Sequence, residues 1–149
     1  QQLVLGAVLA GADDDQLAAL RAFGHPVGLA FQLRDDLLGV FGDTAVTGKP
    51  AGDDLREGKR TALIAVARER LDDDGRRILD SALGDAGLSP ERIDGVQRLT
   101  AGTGAPERID QMIADYAAQA EAALVDAPLD PAAVTDLRAL ATAAISRSA

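Results

Sequence analysis

Three prolines, in Ser89-Pro90, Ala105-Pro106 and Asp130-Pro131, stand where helices begin, and they constrain the fold more than any other feature of the chain. A proline's fixed φ and missing N–H suit the first helical position, and Ser89 and Asp130 before two of them are good N-caps. Behind Pro106 the apolar residues Ile109, Met112, Ile113, Tyr116, Ala120, Ala123 and Leu124 recur at three and four. Behind Pro131 the stripe is Val134, Leu137, Leu140, Ala141 and Ala144. Both are amphipathic helices. Upstream, Thr61 to about Leu71 and Asp74 to about Leu83 give shorter helices joined through Asp72-Asp73-Asp74-Gly75. With 3% aromatic residues, heavy Ala and Leu usage and few β-branched runs, the expected fold is all-α, with helices packed through small side chains. At 149 residues and 47% hydrophobic, residues 1–149 are expected to form a single helical domain.

The absence of cysteine excludes a disulfide scaffold, a thiolate zinc site and a cysteine nucleophile. His25, the one histidine, is held between Gly24 and Pro26, so neither a multi-histidine metal site nor a Ser-His-Asp triad is expected. A net charge of −9 repels bare phosphate backbones, which argues against nucleic acid; a bound phosphate would need a mediating cation. No run reaches the roughly 18 apolar residues of a membrane span, and no basic leader opens the chain, so a cytoplasmic location is expected. Leu3, Val4, Leu5, Ala7, Val8 and Leu9 read as a buried helix with no cap before them, as in a chain that lacks its beginning.

The stretch from Asp15 to Arg70 carries the chemistry. Leu17, Leu20, Phe23, Val27, Ala30, Leu37 or Leu38, and Phe41 form one stripe, which predicts one long helix or two pieces broken near Pro26. Another face presents Gly24, Gly28, Gln32 and Asp36 at intervals of four, either a close helix contact or a groove wall with a polar end. Asp35 and Asp36 lie between Leu33 and Leu37, where uncompensated carboxylates are costly. A bound cation resolves that conflict. The loop Gly42 to Gly58 then supplies Asp43, Lys49, Asp53, Asp54 and Glu57, and it leads into Lys59-Arg60-Thr61 before a helix. Lys49 and Lys59 are the chain's two lysines among otherwise arginine cations. Lysine is a compact point charge for phosphate, and a helix N-terminus beside Lys59 adds partial positive charge. Hard oxygen donors without His or Cys favour Mg²⁺, which takes one or two carboxylates together with substrate phosphate oxygens.

The run from Gly28 through Phe31-Gln32, Asp35-Asp36, Gly39 and Gly42-Asp43, followed by Thr47-Gly48-Lys49, Asp54-Leu55 and Gly58-Lys59-Arg60-Thr61, resembles the second aspartate-rich region of all-trans isoprenyl diphosphate synthases, the polyprenyl synthetase family. Leu5-Gly6-Ala7 to Ala10-Gly11-Ala12 resembles the small-residue helix before that region, and the later helices resemble the family's C-terminal part. The resemblance implies an antiparallel helical bundle of the isoprenoid synthase type, here its C-terminal half. It also implies a prenyltransferase that joins isopentenyl diphosphate to an allylic diphosphate with Mg²⁺, usually as a homodimer. By motif, Asp35 would be the main magnesium ligand, with Asp36 nearby and Asp54 holding metal-bound water. Lys49 and Lys59 would bind diphosphate, and Phe31 and Gln32 would face the substrate.

Two departures stand out. Gly39 occupies the place of the third acid in the pattern Asp-Asp-x-x-Asp, a gap that Asp43 would fill if its helix persists. A second aspartate-rich helix is missing as well, because Asp13-Asp14-Asp15 and Asp72-Asp73-Asp74 read as caps and turns. These 149 residues alone are therefore expected to be inactive. The rival readings are a non-catalytic helical module that pairs with a complete synthase, and a Mg²⁺-dependent diphosphate hydrolase.

Overall fold

The computed structural model describes residues 2–42, 48 and 50–146, and among these the secondary structure is entirely helical. The helices are α1 (Gln2–Leu9), α2 (Asp14–Phe41), α3 (Asp53–Arg56), α4 (Ala62–Arg70), α5 (Asp73–Ala82), α6 (Pro90–Gly102), α7 (Ala105–Leu124) and α8 (Pro131–Ile145). Asp43, Thr47 and Lys49 lie outside the described residues.

The caps expected at Ser89 and Asp130 form, and Thr61 and Asp72, read from the sequence as the start of a helix and as part of a cap-and-turn run, prove to be caps as well. Thr61 accepts a hydrogen bond from Ile64 N–H, Asp72 from Gly75 N–H, Ser89 from Arg92 N–H and Asp130 from Ala132 N–H. Asp73, Asp74 and Gly75 are thus the first turn of α5 rather than a turn before it. Pro106 takes the second position of its helix, after Ala105. Short α3 interrupts the stretch expected to be loop.

Of the two expectations for the long stripe, the unbroken helix is the one observed, since α2 runs through Pro26. An interior proline costs a helix about 3 kcal/mol. Phe23, Leu33 and Leu37 on the same helix are buried, and each fully buried side chain of this size returns roughly 1.5 to 3 kcal/mol, so packing outweighs the proline.

The chain divides into two compact units. In the first, residues 1–32 and 112–147, Phe23, Ala120, Leu124 and Ala141 form a core against which Leu3, Val27 and Leu137 pack. Helix α1 forms here as expected, yet it is not the buried helix its composition suggests: Leu5, Val8 and Leu9 are exposed. Apolar content alone does not determine what covers a surface.

In the second unit, residues 33–111, α4 contacts α5 and α5 contacts α6, and Leu55, Leu63, Leu79, Ile93 and Val96 are buried. Gln97 on α6 donates its side-chain amide to the carbonyl of Val40 at 2.5 Å and so satisfies one of the last carbonyls of α2. Gly58, with φ of 70°, lies against Gly84, and a Cβ there would stand 3.1 Å from the Gly84 Cα. That close approach fixes the segment leading into Lys59.

Candidate functional site

Within the second unit, Asp35, Asp36 and Gly39 lie on α2, Asp54 on α3, and Glu57 and Lys59 in the segment that leads into α4. Asp35 and Asp36 occupy adjacent helical positions, about 100° apart around the axis. Asp35 is half-buried, whereas Asp36 is only 5% exposed. The Oδ2 of Asp36 accepts a hydrogen bond from Ala62 N–H at 3.2 Å, which seats a buried carboxylate on the first turn of α4. The amide and the positive end of the helix dipole together offset part of its desolvation. The partial charge expected beside Lys59 for phosphate is thus directed at Asp36.

Asp54, 7% exposed, extends from α3. Its Oδ1 accepts a hydrogen bond from Lys59 Nζ at 2.6 Å, and its carbonyl accepts from Lys59 N–H at 3.0 Å. Glu57 Oε2 is 2.9 Å from the same ammonium. The bond to Asp54, and then that to Glu57, hold Lys59 well above the usual lysine pKa. The Lys59 side chain stays 45% exposed, so a fully charged cation stands at the surface of the unit with its stem anchored. The Asp54 carboxylate lies directly over Gly39: a Cβ built at Gly39 would stand 2.9 Å from Oδ1 and closer still to Cγ and Oδ2.

Sequence reasoning identified Asp54 and Lys59 separately and missed both their pairing and the part of Glu57. The spacing of Asp54, Glu57 and Lys59 is a recoverable signal, because a short helix followed by a tight turn brings such positions to one place.

Phe31, half-buried, and Gln32, exposed, lie on α2 within the first unit. In that unit α1 and α2 enclose an apolar groove of about 650 Å³, lined by Leu3, Val8, Leu20, Gly24, Gly28 and Leu29, with Arg21 and His25 as polar members. Added Cβ atoms at Gly24 and Gly28 would meet nothing within 4 Å, so these glycines form a groove wall and not a close helix contact. The lining runs to Leu29, and Gln32 does not belong to it.

A geranylgeranyl diphosphate synthase of Mycobacterium tuberculosis is 56% identical over 63 residues, which are 42% of this chain and 18% of that protein. The short chain isoprenyl diphosphate synthase of Methanocaldococcus jannaschii is 38% identical over 89 residues, covering 60% of this chain and 27% of its own length. The crystal structure of a geranylgeranyl pyrophosphate synthase from Corynebacterium glutamicum, complexed with isoprenyl diphosphate and magnesium, superposes with a TM-score of 0.92 at 43% identity. That superposition covers 97% of this chain and 41% of the other. The chain therefore spans less than half the length of these relatives. Residues 1–99 match the family model for polyprenyl synthetase, and the chain belongs to that family.

Proposed function

We propose that this chain is the C-terminal, diphosphate-gathering half of an isoprenoid synthase domain. The activity it serves is prenyl transfer, in which isopentenyl diphosphate is condensed with an allylic diphosphate to give an all-trans polyprenyl diphosphate of short to medium length. The observation that carries this reading is the Lys59 ammonium held by the Asp54 carboxylate, which itself lies over Gly39 of α2, the helix that carries Asp35 and Asp36. The likeness to synthases across 97% of the chain supports it.

Among the described residues no group of three or more potential metal ligands is gathered, so a cage made wholly of protein is not at hand. Mg²⁺ does not require one, because it retains waters and takes one or two carboxylates plus substrate oxygens. The hard-oxygen donor set fits it: Asp35 would be the direct ligand and Asp54 would hold metal-bound water. Asp36, already engaged by Ala62 N–H, would support the ligand helix from beneath. When bound, magnesium would act as a Lewis acid that stabilises negative charge developing on the leaving diphosphate.

This chain's own residues supply the remaining work. Lys59 and Lys49 donate to diphosphate oxygens, and their charge is worth most when the C–O bond has broken, since preplaced cations act on charge that develops in the transition state. Phe31 and Gln32 face the allylic end of the substrate. We also place the working protein in the cytoplasm as a homodimer, as the family resemblance implies; no described helix is long and apolar enough to cross a membrane.

A chimaera tests this reading: the matched part of the Corynebacterium glutamicum synthase is replaced by these residues, and elongation of an allylic diphosphate is assayed. Activity is expected, and Asp35→Ala in the chimaera should lower turnover by several orders of magnitude, each tenfold being about 1.36 kcal/mol of transition-state stabilisation. A folded but inactive chimaera, or near-native turnover of Asp35→Ala in saturating Mg²⁺, contradicts the proposal.

A further inference from the structure

We propose that Gly39 is a positioning residue: the space left by its missing side chain on α2 is the seat of the Asp54 carboxylate, and through Asp54 it sets where the Lys59 ammonium stands. The bearing of this seat on diphosphate binding rests on the function proposed above.

Glycine is the least favourable residue for a helix interior after proline, so its presence within α2 calls for a reason. Backbone conformation does not supply one, because Gly39 is absent from the glycines with positive φ, and an alanine would suit its dihedral angles. Gly24 and Gly28 on the same helix face open space. At Gly39 alone on α2 would an added Cβ collide, and every one of the three nearest atoms belongs to the Asp54 carboxylate. The pattern Asp-Asp-x-x-Asp is thus completed across space: where the helix lacks its third acid, a carboxylate from α3 lies over the vacant position.

The geometry also dictates what yields on substitution. The colliding atoms are the end of a short side chain, not backbone, so a methyl at position 39 displaces the carboxylate and leaves the helix in place. Asp54 Oδ1 then loses its 2.6 Å contact with Lys59 Nζ. The Lys59 backbone remains tied to the Asp54 carbonyl, and the ammonium is left to Glu57 and solvent.

The test compares the wild-type chain, Gly39→Ala, Asp54→Ala and the double variant, since Asp54→Ala removes all three atoms that the new methyl would meet. Three readouts are used: the ¹⁵N NMR signal of the Lys59 side chain, assigned with Lys59→Gln against the one other lysine; the calorimetric affinity for inorganic diphosphate in Mg²⁺; and the melting temperature. Gly39→Ala should move the Lys59 signal to its position in Asp54→Ala and weaken diphosphate binding at least tenfold. In the Asp54→Ala background, adding Gly39→Ala should change neither. A Lys59 signal unmoved by Gly39→Ala, or moved equally in both backgrounds, overturns the proposal. If Gly39→Ala does not fold, recovery of the fold in the double variant supports the seat, and an unfolded double variant refutes it. Wild-type chain that binds no diphosphate in Mg²⁺ counts against the prenyl-transfer reading, while the Lys59 signal still decides the seat.

Discussion

Asp35 and Asp36 are neighbours in sequence with different surroundings, and their substitutions should separate accordingly. Asp36→Ala leaves the Ala62 N–H without its buried acceptor and removes an anion from the start of α4. Denaturant unfolding should report a loss of about 1 to 3 kcal/mol, the cost of leaving a partly buried donor unsatisfied. Asp35→Ala should leave stability within about 0.5 kcal/mol, the usual range for a substitution away from such features, yet weaken Mg²⁺-dependent diphosphate binding at least tenfold, about 1.4 kcal/mol. Equal effects of the two variants on both measurements would contradict the assignment. Lys59 adds a pH dependence of known sign. Its folded pKa is raised above the unfolded value of 10.5 by Asp54 and then Glu57. The stability contributed by the pair is therefore fully present below about pH 10.5 and falls as the pH climbs toward the folded value. Wild type and Lys59→Gln, unfolded in denaturant from pH 8 upward, should show a constant difference that narrows above that point. The difference will be small, because the ammonium is 45% exposed and screened by solvent.

At the level of elements, what the sequence makes legible is local. Proline and cap chemistry act within three or four residues, so the starts of α6 and α8 can be read directly from Ser89 and Asp130, whereas three consecutive aspartates left the cap of α5 open in sequence and the structure assigns it to Asp72. Asp72→Ala, which removes the 2.8 Å bond from Gly75 N–H, should cost about 1 kcal/mol in thermal or denaturant unfolding, and an unchanged midpoint would show that the cap is idle. Helix α3 escaped notice because four residues cannot display a period. The bond from Gln97 to the Val40 carbonyl spans 57 positions, and Arg70 donates to the carbonyls of Thr103 and Gly104 across 33 and 34. No periodicity encodes such pairings. The same limit hid the contact between Gly39 and Asp54: the gap in the acidic pattern was visible in the sequence, and the carboxylate that lies over it came from another element. The small-residue face of α2 left two meanings open in sequence, and the empty space over Gly24 and Gly28 decided for a groove.

At the level of the whole molecule, exposed Leu5, Val8 and Leu9 beside an apolar groove of about 650 Å³ should drive association of the isolated chain. Sedimentation should show the average mass rising with concentration, and Leu9→Glu should lower it; a strict monomer at all concentrations would contradict this. On the proposed reading, the acids of α2 and the chain's two lysines would gather charge on one side of a diphosphate only. Condensation requires a second substrate held within about 3 to 3.5 Å of the reacting carbon, and chain elongation by this chain alone is not expected. What these residues should do without help is bind the leaving group. Calorimetric titration of the chain with an allylic diphosphate, with and without Mg²⁺, is the most direct measurement of that claim. The account predicts saturable binding that requires Mg²⁺, is displaced by inorganic diphosphate, and yields no elongated product when isopentenyl diphosphate is added. An affinity that is the same in Mg²⁺ and in chelator, or no binding at all, would contradict it.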